Sequence, residues 1–200
     1  MSKIQLGIFL SALIIGVCSA ENEIPTKEAI HALLPSGMDP PSTVDIENRA
    51  IIQAYGEVAI PILASLLAEA TNSVDMSLII DIAAEIEGDH STILKQLHAC
   101  LQDDKTKTIA LHGLQRVGSA EDAKQILNML DDKDESVRIN VAKLIQLYAD
   151  KETLEQAKVI LNRRAASLSQ EEQDRDWSIK AGYCAVSNGF ERLKSKAGMQ

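Results

Sequence analysis

The stretch 134–150, DESVRINVAKLIQLYAD, decides the fold. Its apolar residues recur at spacings of three and four, which places them on one face of an α-helix; they are Val137, Val141, Leu144, Ile145 and Tyr148. Other parts of the chain repeat this spacing, without the apolar–polar alternation that is typical of strands. Aromatic residues make up only 3% of the chain, and Gly and Pro are sparse beyond residue 62. The sequence therefore predicts an all-α protein.

Helix-breaking triplets divide this helical chain at regular intervals. Successive triplets are separated by 32, 30 and 32 residues. They are Ala54-Tyr55-Gly56, Ile86-Glu87-Gly88, Arg116-Val117-Gly118 and Tyr148-Ala149-Asp150. A fixed period of this length is typical of stacked helix pairs, the solenoid architecture. We expect glycine, or Asp150 in the fourth triplet, to end each first helix in a left-handed conformation.

The triplets fix a register of four helical hairpins followed by a C-terminal capping pair. The expected repeats are 44–72, 73–103, 104–132 and 133–168, with a cap at 169–200, together forming a domain over 44–200. The predicted helix pairs are 44–55 with 57–70, 74–87 with 90–101, 106–117 with 120–130, 135–149 with 151–167, and 170–187 with 189–196. Four serines lie where N-caps are expected: Ser73, Ser91, Ser119 and Ser136.

The first twenty residues have the layout of a secretory signal peptide, with Lys3 before an apolar run over 4–17 and small residues up to Ala20. We expect cleavage near Ala20 and export to the periplasm or the extracellular space, with no transmembrane segment in the mature chain. Two alternatives to a cleaved signal peptide remain for residues 1–20: a signal that leaves a lipid anchor at Cys18, and an ordinary buried helix.

Residues 21–43 are expected to hold a short helix over 26–34 and a proline-rich connector, or to be a disordered leader.

The charge of the chain and its sequence motifs argue against nucleic-acid binding, metal binding and catalysis. The chain has 29 acidic and 20 basic side chains, a net charge of −9, so we expect no nucleic-acid partner. The four histidines lack metal-ligand spacing, and no phosphate loop, nucleophile elbow or C-x-x-C motif occurs. We therefore expect no metal, no cofactor and no enzymatic activity. Cys100 and Cys184 are expected to be buried, separate thiols, because the register places them three repeats apart.

The motif Asp134-Glu135-Ser136-Val137-Arg138-Ile139-Asn140-Val141-Ala142 resembles the Asp-x-x-Val-Arg-x-x-Ala opening of HEAT repeats, especially the short repeats of phycobilisome-lyase-like proteins. The segment 46–50 is similar to it, and 56–63 is similar to the turn between the two helices of that family. Repeats two and three depart from the motif at Asp75-Met76 and at 105–107. The resemblance covers residues 44 to about 167 and implies a right-handed α–α superhelix, like HEAT and armadillo solenoids, of about four to five hairpins.

The resemblance also implies where a partner would bind, because the second helices of HEAT solenoids line the concave face. Aligning these helices on their leucines places six polar residues on or beside one column: Lys95, Gln96, Lys124, Gln125, Asn128 and Gln156. We expect them to bind a protein or peptide, so that the chain acts as a non-catalytic scaffold. The alternative is that they form only a solvated helix face. Two other functions stay open: a role like that of bilin lyases, and a lipid-anchored structural component of the envelope. The oligomeric state also stays open.

Overall fold

The computed structural model describes residues 24–35 and 43–198. Within these ranges every regular element is helical and no strand occurs, which confirms the all-α prediction. The predicted signal peptide with Ala20 and Cys18, and the connector at 36–42, lie outside the described residues. The helices are α1 (Lys27–Ala32), α2 (Thr43–Ala54), α3 (Ile60–Glu69), α4 (Ser73–Glu85), α5 (Ser91–Cys100), α6 (Lys107–Val117), α7 (Ala120–Gln125), α8 (Glu135–Tyr148), α9 (Lys151–Ala166), α10 (Gln170–Arg175) and α11 (Trp177–Gly198), with 3-10 helices at Gly56–Ala59 and Leu127–Asp131.

Helix contacts follow a regular order along the chain. Helices α2, α4, α6, α8 and α11 each pack against the next one in this series, and we call them the first helices. We call α3, α5, α7 with the following 3-10 helix Leu127–Asp131, and α9 the second helices. Helix α3 packs on α5, and the 3-10 helix packs on α9, which in turn packs on α11. One apolar cluster runs through the described chain from Ile30 to Val186. Burial of each Leu or Ile in it contributes about 1.5–3 kcal/mol before the entropy cost is subtracted.

All four breaker triplets lie where a first helix ends and a second helix follows, but the backbone conformation differs from the prediction at two of them. Gly56 and Gly88 have positive φ angles of 59° and 148°. Gly118 (φ −76°, ψ 178°) and Asp150 (φ −77°, ψ 177°) are extended, so the expected left-handed ending is wrong at these two positions. The chain there passes directly from a first helix into the N-cap of a second helix, which needs an extended residue. A Cβ at Gly118 would collide with the carbonyl oxygen of Leu114, and this explains the glycine without a positive φ.

Only one of the four serines predicted as N-caps has that position. Ser119 caps α7 with a complete capping box, in which it exchanges hydrogen bonds with Asp122. The other three predictions are wrong, because Asn72 caps α4, His90 precedes α5 and Asp134 caps α8. Asp and Asn side chains accept backbone N–H groups at least as well as serine, and here they lie one or two residues earlier.

Three of the predicted second helices differ from the observed ones. The helix expected over 57–70 begins as a 3-10 turn and becomes α-helical at Ile60, just before Pro61, a residue favoured in the first turn. The helix expected over 120–130 changes to a 3-10 helix after Ile126. The final pair was expected to break near residue 188, but α11 is continuous through it and the break lies at Asp176.

Cys100 is half-buried and Cys184 is exposed, and both are free thiols. The prediction of two separate thiols is therefore confirmed. The prediction that both are buried is wrong, because Cys100 is only half-buried and Cys184 lies on the outer face of α11, opposite the face that contacts α8 and α9.

A buried charge network joins the fourth hairpin to the C-terminal helices. Arg138, 5% exposed, donates to the carbonyls of Asp132 (2.8 Å) and Lys133 (3.1 Å), to Ser178 Oγ (2.6 Å) and to Asp176 Oδ2 (3.1 Å). Arg164 donates to the same carboxylate oxygen at 2.9 Å. The carboxylate of Asp176 also accepts hydrogen bonds from the backbone N–H and the hydroxyl of Ser178, the second residue of α11. This network fixes the break before α11.

The network predicts a specific loss of stability in acid. Burial alone would raise the pKa of Asp176, but hydrogen bonds from Ser178 and Arg164 and the charge of Arg138 lower it to about 2. Because the folded pKa is below the unfolded value of about 3.9, this contribution is complete above about pH 4 and is lost as the pH falls toward 2. We expect Asp176→Asn to lower the Tm at pH 7 and to flatten its decline between pH 4 and pH 2. Parallel Tm curves for the variant and the wild type would contradict this assignment.

Candidate functional site

The candidate site is a depression of about 500 Å³ between the second helices of hairpins two and three. Its walls come from the C-terminal part of α5, the start of α6, and α7 with the 3-10 helix that follows it. The lining residues are His98, Leu101, Gln102, Lys107, Gln125, Ile126, Met129 and Asp132. Two smaller depressions, of about 270 and 240 Å³, lie elsewhere on the described surface.

An irregular second helix accompanies this depression. Helix α7 has only six residues, and the chain continues after Ile126 as the 3-10 helix Leu127–Asp131. A 3-10 helix is narrower than an α-helix and has three residues per turn. Ile126 and Leu130 are buried, whereas Met129 between them is half-buried and lines the depression. The change in helix type therefore makes this part of the wall unlike the continuous α9 of the next hairpin.

A hydrogen-bonded cluster joins the two sides of the depression. His98 on α5 contacts Asp122 Oδ1 on α7 through Nε2 at 2.6 Å. Ser119 donates its hydroxyl (2.6 Å) and its backbone N–H (2.8 Å) to Asp122 Oδ2. Burial raises the pKa of Asp122, but the hydrogen bonds from His98 and Ser119 outweigh it and lower the pKa. Since the carboxylate is ionised at neutral pH and only accepts, Nε2 of His98 carries the proton that it donates.

A second polar group borders the depression at the start of α6. The ammonium of Lys107 donates to Asp104 Oδ1 (2.9 Å) and to Asp132 Oδ2 (3.0 Å). Hydrogen bonds to these two carboxylates raise the pKa of Lys107. Burial raises the pKa of Asp132, but the backbone N–H of Asp134 and the ammonium of Lys107 lower it overall. The rim therefore holds fixed charges that are paired with one another.

The arrangement of Ser119, Asp122 and His98 differs from that of a catalytic triad. In a triad the imidazole lies between the hydroxyl and the carboxylate and removes the hydroxyl proton. Here the carboxylate lies between the other two groups, and Ser119 donates its proton to Asp122. This geometry does not activate the hydroxyl as a nucleophile, and the cluster instead holds α7 against α5.

The structure brings only one of the six predicted partner-binding residues into the depression. Gln125 is exposed, lines the depression and donates to Glu121 at 3.3 Å. Gln96 is half-buried and donates to Cys100 Sγ at 3.8 Å. Gln156 is exposed and donates to Glu152 at 3.1 Å. Lys95, Lys124 and Asn128 are exposed, and none of them lines the depression.

Several lining residues were not predicted from the sequence, among them Lys107, Gln102, Met129 and Asp132. A signal for Lys107 was present, because a shift of 31 residues places the Asp, Val and Arg of the 134–138 motif on Asp103, Thr106 and Lys107. In both hairpins the cation at this position of the motif contacts a carboxylate that lies shortly before the following first helix. Lys107 contacts Asp132 before α8, and Arg138 contacts Asp176 before α11. The segment 103–107 therefore keeps the charge of the motif while changing its residue types.

The described part of the chain holds neither a group of metal ligands nor a single helix that could span a membrane. No three His, Cys, Asp or Glu side chains there are grouped closely enough to hold a metal ion. None of the described helices alone is long and apolar enough to cross a membrane; Thr43–Ala54 and Gly56–Glu69 would qualify only together, and they are bent by 107° where they meet. No protein-family model, curated protein or solved structure matches the chain.

Proposed function

We propose that the chain is an exported, non-catalytic scaffold built as a right-handed solenoid of HEAT-like repeats. It binds a protein or peptide on the face formed by its second helices, which we call the second-helix face. The observation that carries this proposal is the depression between α5 and α7, which is larger than the two other depressions described above. The ordered contacts from α2 through α11 support the solenoid, because neighbouring repeats bury each other's apolar faces in such an architecture.

The chemistry of the depression suits a peptide segment more than a small apolar ligand. The amides of Gln102 and Gln125 each offer a donor and an acceptor, the same groups that a peptide main chain exposes. Met129 adds a flexible apolar contact of the kind that adapts to different side chains. The paired charges of Lys107 and Asp132 leave little net charge to select an ion. We therefore expect hydrogen bonds from the amides to position the partner's backbone.

The proposed export rests on the signal-like residues 1–20 and has a simple test. The N-terminal residue of the mature protein, determined by mass spectrometry after expression with the full leader, is expected to be Glu21. A mature chain that begins with a lipid-modified Cys18 would instead support the anchored alternative. An uncleaved Met1 would contradict export by this route.

Changing the amides of the depression to carboxylates is expected to weaken partner binding. Gln102→Glu/Gln125→Glu keeps the side-chain shapes, removes two donors and adds two negative charges, so we expect the Kd to rise at least about tenfold. The control Gln146→Glu/Gln170→Glu makes the same chemical change at exposed sites outside the depression. The measurement is the affinity for a partner captured from the native extracytoplasmic fraction.

A second variant separates the depression from the predicted polar column. Lys95→Glu/Lys124→Glu reverses two exposed charges outside the depression, and its charge-matched control is Lys143→Glu/Lys194→Glu. Weakened binding by both test pairs would extend the binding surface along the column. If neither test pair weakens binding, the proposed binding face is contradicted.

A further inference from the structure

The series of first helices ends in two helices that each have only one neighbour of their own kind. Helices α4, α6 and α8 each contact a first helix on both sides. Among the described residues, α2 packs closely against one first helix, α4, and α11 against one, α8. The same type of helix packing that joins neighbouring hairpins is therefore left open at both ends of the described chain.

The outer face of α11 carries an aromatic and a cationic side chain side by side. Trp177 is 68% exposed, and the ammonium of Lys180 lies 5.4 Å from the centre of its ring while donating to the carbonyl of Asp174. Cys184 and Asn188 are exposed on the same face, one and two turns further along. Opposite them, residues such as Ile179 and Val186 are buried, so this face is distinct from the one that contacts α8.

The outer face of α2 is partly apolar and carries two small side chains. Glu47, Ala50 and Ala54 are exposed along its centre, and small side chains at such positions allow another helix to approach closely. Val44 and Ile46 flank this strip and are 61% and 59% exposed. Helix α1, which precedes α2, packs on α3. This face therefore offers apolar contact at its edges and a carboxylate near its centre.

The acidic N-terminal end and helix α11 differ in charge. Residues 43–90 contain nine carboxylates and a single basic side chain, Arg49. Helix α11 contains four basic side chains against one carboxylate, Glu191, although residues 169–176 before it add four carboxylates and one basic side chain. The basic α11 of one copy is thus attracted to the acidic N-terminal end of another, whereas two acidic ends would repel each other.

We propose that copies of this chain associate head to tail, with the outer face of α11 in one copy packed against the outer face of α2 in the next. Trp177 then covers the apolar edge of α2, and Lys180 lies against the acidic end that includes Glu47. The contact continues the packing of the first helices from one copy into the next. Because the two faces differ, the association is heterologous and adds copies without closing into a two-fold dimer. This association goes beyond the proposed binding of a partner on the second-helix face.

Sedimentation velocity of the purified protein tests the association directly. At low ionic strength we expect the average mass to exceed that of a single chain and to rise with protein concentration. Raising the salt to about 0.5 M should shift the protein toward the monomer, because exposed charges are then screened. A monomer at every concentration and low salt would overturn the proposal, whether the open faces are covered by other parts of the chain or simply remain solvated.

Two variants distinguish a head-to-tail contact from a symmetric one. Trp177→Ala/Lys180→Glu disables the α11 face, and Ile46→Glu/Glu47→Lys disables the α2 face; all four residues are exposed. Each variant alone is expected to be monomeric, and an equimolar mixture is expected to form a heterodimer and nothing larger, because one intact face of each kind remains. Dimerisation of the second variant alone would indicate an α11–α11 contact and overturn the proposal.

Controls keep these outcomes interpretable. The variant Lys151→Glu changes charge by the same amount as Lys180→Glu at an exposed residue that starts α9, and it is expected to associate like the wild type. The circular dichroism spectra and melting temperatures of all variants should match the wild type, since each substituted side chain is exposed. Monomers formed by the Lys151 variant as well would overturn the assigned faces, because any charge reversal would then suffice.

Discussion

Replacing Arg138 with alanine is expected to lower the free energy of unfolding by about 3–5 kcal/mol, the usual cost of removing one partner from a buried ion pair. The substitution removes the hydrogen bonds to the carbonyls of Asp132 and Lys133 and to Ser178. It also leaves the buried carboxylate of Asp176 with Arg164 as its remaining cationic partner. Urea unfolding followed by circular dichroism at pH 7 measures the change.

Arg163 supplies a matched control for this experiment. Its side chain is 67% exposed and it contacts Asp131 at 3.4 Å, so Arg163→Ala removes an equally long cation from a surface ion pair. Such pairs contribute about 0–1 kcal/mol, and we expect a loss in that range. Similar losses for the two variants would show that Arg138 does not hold the fourth hairpin to α11.

The second large effect is expected where α9 packs against α11. Gly182 and Gly189 of α11 face Leu161 and Leu154 of α9; a Cβ on either glycine would come within 2.5 Å or 2.6 Å of a leucine methyl group. The two leucines are seven residues apart, as are the two glycines, so each leucine fills a space left by a missing side chain. Leu161→Ala would leave a cavity beside Gly182, and we expect a loss of about 2–5 kcal/mol.

A size exchange tests this packing more strictly than a single substitution. Gly182→Val alone should cost about 1–3 kcal/mol, because it overfills the same space. Combining it with Leu161→Ala should give a smaller total loss than the sum of the two, since the new side chain fills part of the cavity. Ser187→Val, on the exposed side of the same helix, is expected to change stability by less than about 0.5 kcal/mol. Strict additivity in the urea unfolding data would contradict direct contact.

The helical class and the junctions between helices could be predicted because they depend on local sequence. Apolar spacing identifies a helix wherever one face is buried, as over 135–148, where Val137, Val141 and Ile145 are buried. The breaker triplets locate the ends of the first helices because glycine, or an Asp that caps the next helix, interrupts helical hydrogen bonding there. These features require no knowledge of which distant residues come together.

The remaining features depend on contacts between distant residues. Gly189 is compatible with either a helix end or a close helix contact, and only the neighbouring Leu154 decides that α11 continues through it. The break at Asp176 depends in the same way on Arg138, which lies 38 residues earlier. The depression arises where the α-helix gives way to a 3-10 helix at Ile126, a change that apolar spacing does not reveal. The polar column predicted for partner binding used only alignment, so it included Gln96, which contacts Cys100 instead.

Hydrogen–deuterium exchange of the protein with and without its captured partner tests the proposed binding face most directly. The proposal predicts slower exchange over residues 98–107 and 120–132, the segments that contain the lining residues of the depression, and little change over the first helices α4 and α8. Protection confined to the first helices, α11 included, would contradict binding on the second-helix face.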